Sequence, residues 1–138
     1  MSIPTIIWTK NYVELIDQTK LPTKYVTLQC RTPRQMWHAI KRLSVRGAPA
    51  LGVAAAFGVL LGLPSFKGKS RQAFDQHVHK VCDYLATSRP TAVNLFHALN
   101  EMKRIVDGAS GLSIDEVKEA LKKFAFDLFE LDCRVCRD

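Results

Sequence analysis

Residues 48–63 read APALGVAAAFGVLLGL, the most apolar stretch of this 138-residue chain. A helix of this composition is apolar on nearly every face, which is typical of a helix buried at the centre of a bundle. Its small residues, Gly52 and Gly58 among them, would let neighbouring helices approach closely. The stretch is shorter than the ~20 residues needed to cross a bilayer, so we expect a core helix and no membrane partner.

The residues that precede this helix predict a small antiparallel sheet. Residues that favour strands dominate two runs, 3–9 and 12–18, with Lys10 and Asn11 as the turn between them. A third run, 25–30, alternates apolar and polar residues, as a strand with one buried face does. We therefore predict three strands within residues 1–31.

Helix-start signals divide the rest of the chain into five helices. Thr32 and Pro33 predict the N-cap and the first residue of one helix, with Gln35 closing a capping box. The second helix is the apolar one. Ser70 is the predicted N-cap of the third helix, and Pro90 is the predicted first residue of the fourth.

The fifth helix begins at a second capping box, formed by Ser113 and Glu116. Its apolar residues recur three and four positions apart up to the end of the chain, and no Gly, Asn or Pro ends the pattern. We therefore expect this chain to be the front part of a longer protein. The predicted apolar face consists of Ile114, Val117, Leu121, Phe124, Leu128, Leu131 and Val135.

Together these elements predict an α+β fold in one domain, residues 1–138. The small antiparallel sheet occupies 1–31, and a bundle of about five helices occupies 32–138, packed around the apolar helix. A hydrophobic fraction of 47% and a charged fraction of 24% are ordinary for a folded domain and argue against disorder over most of the chain.

The formal net charge of +7 favours an anionic partner. Nucleic-acid binding would need clustered Lys and Arg with exposed aromatic residues, and the densest basic region, Lys20 to Arg46, holds no continuous basic run. We expect no nucleic-acid partner. Instead, one or two arginines are expected to hold a small anion, while the other charges are solvated.

Cysteine and histidine give no metal signal. Cys133 and Cys136 form a CxxC pair inside the fifth helical pattern, whereas a redox pair usually opens a helix and a zinc site needs about four ligands. His77 and His79 are two positions apart on a helix and do not share a face. We expect no metal and no cofactor. No secretory segment opens the chain, so free thiols and a cytoplasmic location are expected.

Two helix starts share one arrangement. Arg46 and Gly47 precede the apolar helix at Ala48, and Arg89 precedes the fourth helix at Pro90. A helix N-terminus attracts anions through its unpaired N–H groups and dipole, and an arginine adds a charged fork suited to phosphate. Facing one cleft, the two would hold a phosphorylated small molecule. The alternative is that each arginine caps a neighbouring carbonyl.

Two segments, 45–56 (VRGAPALGVAAA) and 88–95 (SRPTAVNL), resemble in the same order the signature segments of methylthioribose-1-phosphate isomerases. Segments 15–22 and 39–43 fit the same family. The resemblance covers essentially the whole chain and implies the N-terminal domain of that family. The family's Rossmann-like C-terminal domain has no counterpart in these residues. Because its dimers form mostly through that second domain, the resemblance implies a homodimer only for a full-length protein.

The resemblance implies an aldose–ketose isomerase, an intramolecular oxidoreductase of methionine salvage. Its substrate would be a phosphorylated pentose, 5-methylthioribose 1-phosphate, and its product methylthioribulose 1-phosphate. Arg46, Gly47, Ala48 and Arg89 match the family's substrate-binding positions, Arg89 through phosphate. The family's catalytic Cys, in a Thr-x-Cys-Asn segment, and its catalytic Asp belong to the second domain. This chain is therefore expected to hold no catalytic residue and to be inactive alone.

Two other functions stay open under the same resemblance. The superfamily also contains regulatory subunits of a translation-initiation guanine-nucleotide exchange factor, which assemble and regulate, and it contains ribose-1,5-bisphosphate isomerase. The RGAPA and SRPTAVN segments favour an enzyme. A Thr-x-Cys-Asn segment and a later Asp, beyond residue 138, would distinguish the enzymes from the regulatory subunits.

Overall fold

A computed structural model describes residues 6–9, 12–16, 27–42 and 48–137 of the chain. These residues form a three-stranded antiparallel sheet followed by five helices, so the predicted α+β fold is confirmed.

The sheet has the strand order β1 (Ile6–Thr9), β2 (Tyr12–Ile16) and β3 (Thr27–Cys30). Its register pairs Ile6 with Leu15 and Val13 with Cys30. Alternate residues of a strand share a face, and these four side chains form the buried face of the sheet. The outer parts of the predicted strands, 3–5, 17–18 and 25–26, lie outside the described residues.

The five helices are α1 (Pro33–Lys41), α2 (Ala48–Gly62), α3 (Arg71–Ala86), α4 (Val93–Gly108) and α5 (Ile114–Arg137), with a 3-10 turn at Leu63–Ser65 after α2. Helix α2 lies at the centre and packs against the other four helices and β1. Every residue from Ala50 to Leu63 is buried, which confirms the predicted core helix. None of the helices in the described ranges combines the length and hydropathy needed to cross a bilayer.

In its second half, helix α2 lies close to α1 and α3 because Gly58 has no side chain. A Cβ atom at Gly58 would lie 2.9 Å from Cδ1 of Leu85 on α3 and 3.2 Å from Cγ of Met36 on α1. These distances are shorter than ordinary van der Waals contacts between carbon atoms, so the side chains of Leu85 and Met36 would have to shift if Gly58 carried a side chain.

The predicted caps form, with one difference. Thr32 Oγ1 accepts the N–H of Gln35 at 3.2 Å, but the Gln35 side chain accepts the N–H of Arg31 rather than that of Thr32, so the predicted box is shifted by one residue. At the start of α5, Ser113 and Glu116 bond each other's backbone N–H groups at 3.1 and 3.2 Å. Ser70 accepts the N–H of Ala73 at the start of α3.

The predicted start of the fourth helix is wrong by three residues. Pro90 lies in a turn in which Ala92 donates its N–H to the carbonyl of Arg89 at 3.1 Å, and α4 begins only at Val93. Proline suits the second position of such a turn as well as the first position of a helix, so its presence alone does not separate the two.

The prediction for one residue of the apolar face of α5 is also wrong. Leu131 is 56% exposed, whereas Val117, Leu121 and Ala125 are buried. Leu128 already lies beside Gly52, in the second turn of α2. One turn farther on, Leu131 comes level with the start of α2, where little of the bundle is left to cover it.

Arg71 joins the start of α3 to the connection between α4 and α5. Its guanidinium donates to the carbonyl oxygens of Val106, Ala109 and Leu112, each at 2.7 Å. Its Nε donates to Asp75 Oδ1 at 2.8 Å. Carbonyls at a helix end lack helical partners, and one arginine satisfies several of them here.

Candidate functional site

The N-termini of α2 and α4 lie side by side at one end of the bundle. A Cβ atom at Gly52, in the second turn of α2, would lie 3.4 Å from the carbonyl oxygen of Asn94 and 3.9 Å from Cβ of Ala98, both in the first turns of α4. Helices packed at this level have their first turns adjacent. The two helix starts singled out from the sequence are therefore neighbours in the fold.

This pair of helix starts is suited to an anion. Neither α2 nor α4 has an acidic residue in its first turn. The N-cap of α4 is Ala92, which has no side-chain oxygen to accept a backbone N–H. The first N–H groups of α4 therefore lack a side-chain cap, and both helix dipoles present their positive ends in the same direction. Phosphate and carboxylate groups are the ligands that such an arrangement attracts.

Arg89 lies one turn ahead of α4 and is half-buried. Its neighbour Ser88 is buried and donates from Oγ to the carbonyl of Leu85 at 2.6 Å, which fixes the backbone just before the arginine. No ion pair involves Arg89 among the residues that the structure describes. Arg89 thus stands close to the α2–α4 end without a described acidic partner.

The other predicted contacts are only partly described. Arg46 and Gly47 lie outside the described residues. Ala48 is the first residue of α2, as predicted. The structure thus brings Ala48 and Arg89 to the same end of the bundle, and the roles of all four residues in substrate binding stay predictions.

Three exposed side chains surround the start of α4. Asn94 and His97 are exposed. Val93 is 76% exposed, although it is apolar, and sequence reasoning did not single it out. The signal was present, because Val93 does not belong to the apolar stripe of α4 formed by Leu95, Leu99, Met102 and Val106.

His77 and His79 bond to different partners, as their spacing on the helix predicts. His77 Nε2 donates to the carbonyl of Gly62 at 2.8 Å, while His79 Nε2 lies 2.8 Å from Asp107 Oδ1. In the described ranges, no group of three or more His, Cys, Asp or Glu side chains is close enough to hold a metal ion. Both histidines tie α3 to neighbouring elements.

Two cysteine thiols are free and buried, at Cys30 and Cys82. Burial raises the pKa of Cys30 to about 11 and the pKa of Cys82 to about 12, so both are protonated at neutral pH and are poor nucleophiles. The side chains of Cys133 and Cys136 are not among those described, so the prediction for that pair stays a prediction.

Three known proteins are similar to this chain over nearly its whole length. The 5-deoxyribose 1-phosphate isomerase of Moorella thermoacetica is 42% identical over 135 residues, covering 98% of this chain and 38% of the relative. The crystal structure of 5-methylthioribose 1-phosphate isomerase from Pyrococcus horikoshii OT3 superposes with a TM-score of 0.86 at 35% identity, covering 91% of this chain and 35% of that one.

A second solved structure bears a different name. The translation initiation factor eIF-2B, subunit delta, from A. fulgidus superposes with a TM-score of 0.82 at 41% identity, covering 96% of this chain and 38% of that one. The chain therefore spans less than two fifths of the length of these three proteins.

The resemblance that segments 45–56 and 88–95 indicated is confirmed by these comparisons. The pattern of the Initiation factor 2 subunit family matches residues 44–137, about two thirds of the chain, and includes both segments. This chain belongs to the Initiation factor 2 subunit family.

Proposed function

We propose that residues 1–138 form the N-terminal, substrate-binding domain of a sugar-phosphate isomerase. Arg46, Gly47, Ala48 and Arg89 would hold the sugar phosphate. The observation that carries the proposal is the side-by-side packing of the N-termini of α2 and α4 at Gly52 and Asn94, directly after the two arginine segments.

Phosphate suits this end of the bundle better than a neutral ligand does. Two positive helix ends, no acidic residue in either first turn and one arginine ahead of each helix all favour a group with negative charge. An arginine fork can bond two phosphate oxygens at once, which fixes the orientation of the sugar as well as its position.

The names of the relatives support a pentose 1-phosphate as substrate. The two candidates are 5-deoxyribose 1-phosphate and 5-methylthioribose 1-phosphate, of which the second would place the protein in methionine salvage. Such an isomerisation opens the sugar ring and moves hydrogen from C2 to C1. Residues of this chain would bind and orient the substrate, and the groups that move the proton or hydride would come from residues outside it.

A chimera tests the proposal directly. We would replace the aligned 135-residue part of the Moorella thermoacetica enzyme with this chain and measure kcat/KM with both candidate substrates and with ribose 1,5-bisphosphate. We expect an active chimera. Arg46→Ala or Arg89→Ala should lower its kcat/KM about 10- to 100-fold, because each removes charged hydrogen bonds to phosphate.

The matched control is Arg104→Ala, since Arg104 lies on α4 itself, is exposed and pairs with Glu101 at 2.7 Å in the second half of the helix. It should leave kcat/KM unchanged. An active chimera that is equally insensitive to Arg46→Ala and Arg89→Ala would contradict the site. Preference for ribose 1,5-bisphosphate would favour the second enzyme of the superfamily. This chain alone should convert none of the three substrates, and measurable turnover would contradict that expectation.

The likeness to the translation initiation factor subunit supports a second candidate, a regulatory or assembly subunit that does not catalyse. A chimera that folds, as judged by its circular dichroism, yet converts none of the three substrates would favour this candidate. A homodimer of a full-length protein and a cytoplasmic location remain predictions.

A further inference from the structure

A groove of about 750 Å³ lies at the opposite end of α2 from the two helix starts. Its walls come from β1, the residues just before α1, the end of α2 and the first half of α5. Helix α2 rises about 1.5 Å per residue, so Leu61 at the groove lies roughly 20 Å from Ala48. The groove is therefore separate from the proposed phosphate site and does not depend on that proposal.

Aromatic rings form the apolar floor of the groove. Trp8 packs against Phe57 with ring centroids 5.5 Å apart and meets the edge of Phe126 at 6.2 Å. Phe57 is fully buried and holds both rings, while Phe126 stays 36% exposed. Leu60 completes this floor. Rings fixed in this way offer a preformed apolar surface to a ligand.

Three cations line the same groove. Lys118 and Lys122 are four residues apart on α5 and so share a face of that helix. Arg31 also lines the groove, with its guanidinium 4.5 Å over the ring of Tyr12 and donating to Gln29 Oε1 at 3.3 Å. The described lining contains no acidic residue, and Lys122 meets only the exposed Glu119, at 3.7 Å. The positive charge of the groove is thus largely unneutralised.

We propose that this groove binds a small amphipathic anion. An aromatic or aliphatic body would cover Trp8, Leu60 and Phe126, and one sulfonate, carboxylate or phosphate group would contact Lys118 and Lys122. The volume lies within the range of small-molecule pockets, and the combination of an apolar floor with a few converging charges is typical of them.

The test uses 8-anilinonaphthalene-1-sulfonate, a fluorescent aromatic sulfonate, with the intact chain. We expect saturable binding at a single site and energy transfer from tryptophan to the probe. Trp8→Ala should weaken probe binding, whereas Trp37→Ala should leave it, because Trp8 lines the groove and Trp37, which stacks on Tyr84, does not. Non-saturable binding, or binding that is weakened equally by the two tryptophan variants, would overturn the proposal.

Charge is tested by a matched pair of double variants. Lys118→Gln with Lys122→Gln should weaken probe binding about tenfold or more, which corresponds to the loss of an ion pair in a partly desolvated site. Lys80→Gln with Lys123→Gln changes the net charge equally but alters lysines outside the groove, and should leave binding unchanged. If both double variants weakened probe binding equally, only the net charge of the chain would matter, and the proposed groove site would be wrong.

A competition experiment on the unaltered chain keeps the proposal testable should the lysine variants unfold. Octanoate should displace the probe at about tenfold lower concentration than octanol, because the two share an apolar body and differ in the anionic group. Displacement by both at the same concentration would show apolar adsorption without recognition of charge, and the proposal would then be wrong.

Discussion

The two ends of α2 are packed in opposite ways. At the N-terminal end, Gly52 faces the backbone of α4, and a Cβ there would meet the Asn94 carbonyl oxygen only at 3.4 Å. At the C-terminal end, a Cβ at Gly58 would lie 2.9 Å from the side chain of Leu85, and a Cβ at Gly62 would lie 3.0 Å from that of Pro33. The first end brings two backbones together, and the second is filled by side chains.

This difference separates the proposed phosphate site from the interhelical contacts that carry stability. At the N-terminal end, the first residues of α4, Val93 and Asn94, have exposed side chains. Around the second half of α2, Leu85, Met36 and Phe74 are fully buried. We therefore expect substitutions in the contacts of Gly58 with α1 and α3 to change mainly the free energy of unfolding, and those at the start of α4 to change mainly affinity at the proposed phosphate site.

The largest expected effect is that of Leu85→Ala. Because Leu85 is fully buried against Gly58, its truncation should lower the free energy of unfolding by about 2–5 kcal/mol. Val93→Ala, at the start of α4, should change it by less than about 0.5 kcal/mol. Urea denaturation followed by circular dichroism measures both, and similar losses would show that the two ends do not differ.

A second, smaller effect comes from adding one methyl group at either end. Gly58→Ala should destabilise the chain by about 1–3 kcal/mol, since Leu85 and Met36 would have to move in a filled core. Gly52→Ala should be neutral or slightly stabilising, because its Cβ would make ordinary contacts and alanine favours the helix. The same denaturation experiment compares them. A Gly52→Ala variant less stable than Gly58→Ala would reverse the comparison.

The smallest effect concerns the buried thiols. Cys82 lies on α3 between Val81 and Leu85, which contact Gly62 and Gly58, and Cys30 ends β3. Burial raises both pKa values, to about 12 and about 11, so folding favours the protonated thiols. The stabilisation of the folded chain by these protonated thiols is complete below about pH 9, the thiol pKa expected in the unfolded chain. It is lost as the pH rises towards the folded-state pKa values of about 11 and about 12.

Stability should therefore fall between pH 8 and pH 10, by about 1 kcal/mol per thiol at pH 10. The decline should be smaller in Cys30→Ala and in Cys82→Ala, and these variants separate the thiols from other groups that titrate in this range. Urea denaturation midpoints at pH 8 and pH 10 measure this decline in stability for the unaltered chain and both variants. The same decline in all three proteins would mean that the thiols are accessible in the folded chain.

Local signals predicted most of the fold. Ser70 and the pair Ser113 and Glu116 cap their helices through bonds within one turn, so the sequence alone determines them. Pro90 was misassigned because proline fits a turn and a helix start equally well. Leu131 was misassigned because periodicity along α5 carries no information about where its partner helix ends.

The candidate site is predictable only in part, because local signals carry no information about which distant elements pack together. Arg46 and Arg89 stand out because each precedes a helix, but the adjacency of the two helix starts depends on the contact between Gly52 and Asn94, which are 42 positions apart. The basic groove was not predicted at all. It combines Trp8, Arg31 and Lys122 from distant parts of the chain, and none of them belongs to a local pattern.

The contact at Gly52 has an evolutionary consequence. Since the interior of the bundle sets the separation of the first turns of α2 and α4, residues ahead of either helix are free to diverge without disturbing that separation. A lineage can therefore gain, change or lose an anionic ligand by altering a few residues in two short segments. A protein named as an isomerase and a protein named as an initiation-factor subunit share this scaffold.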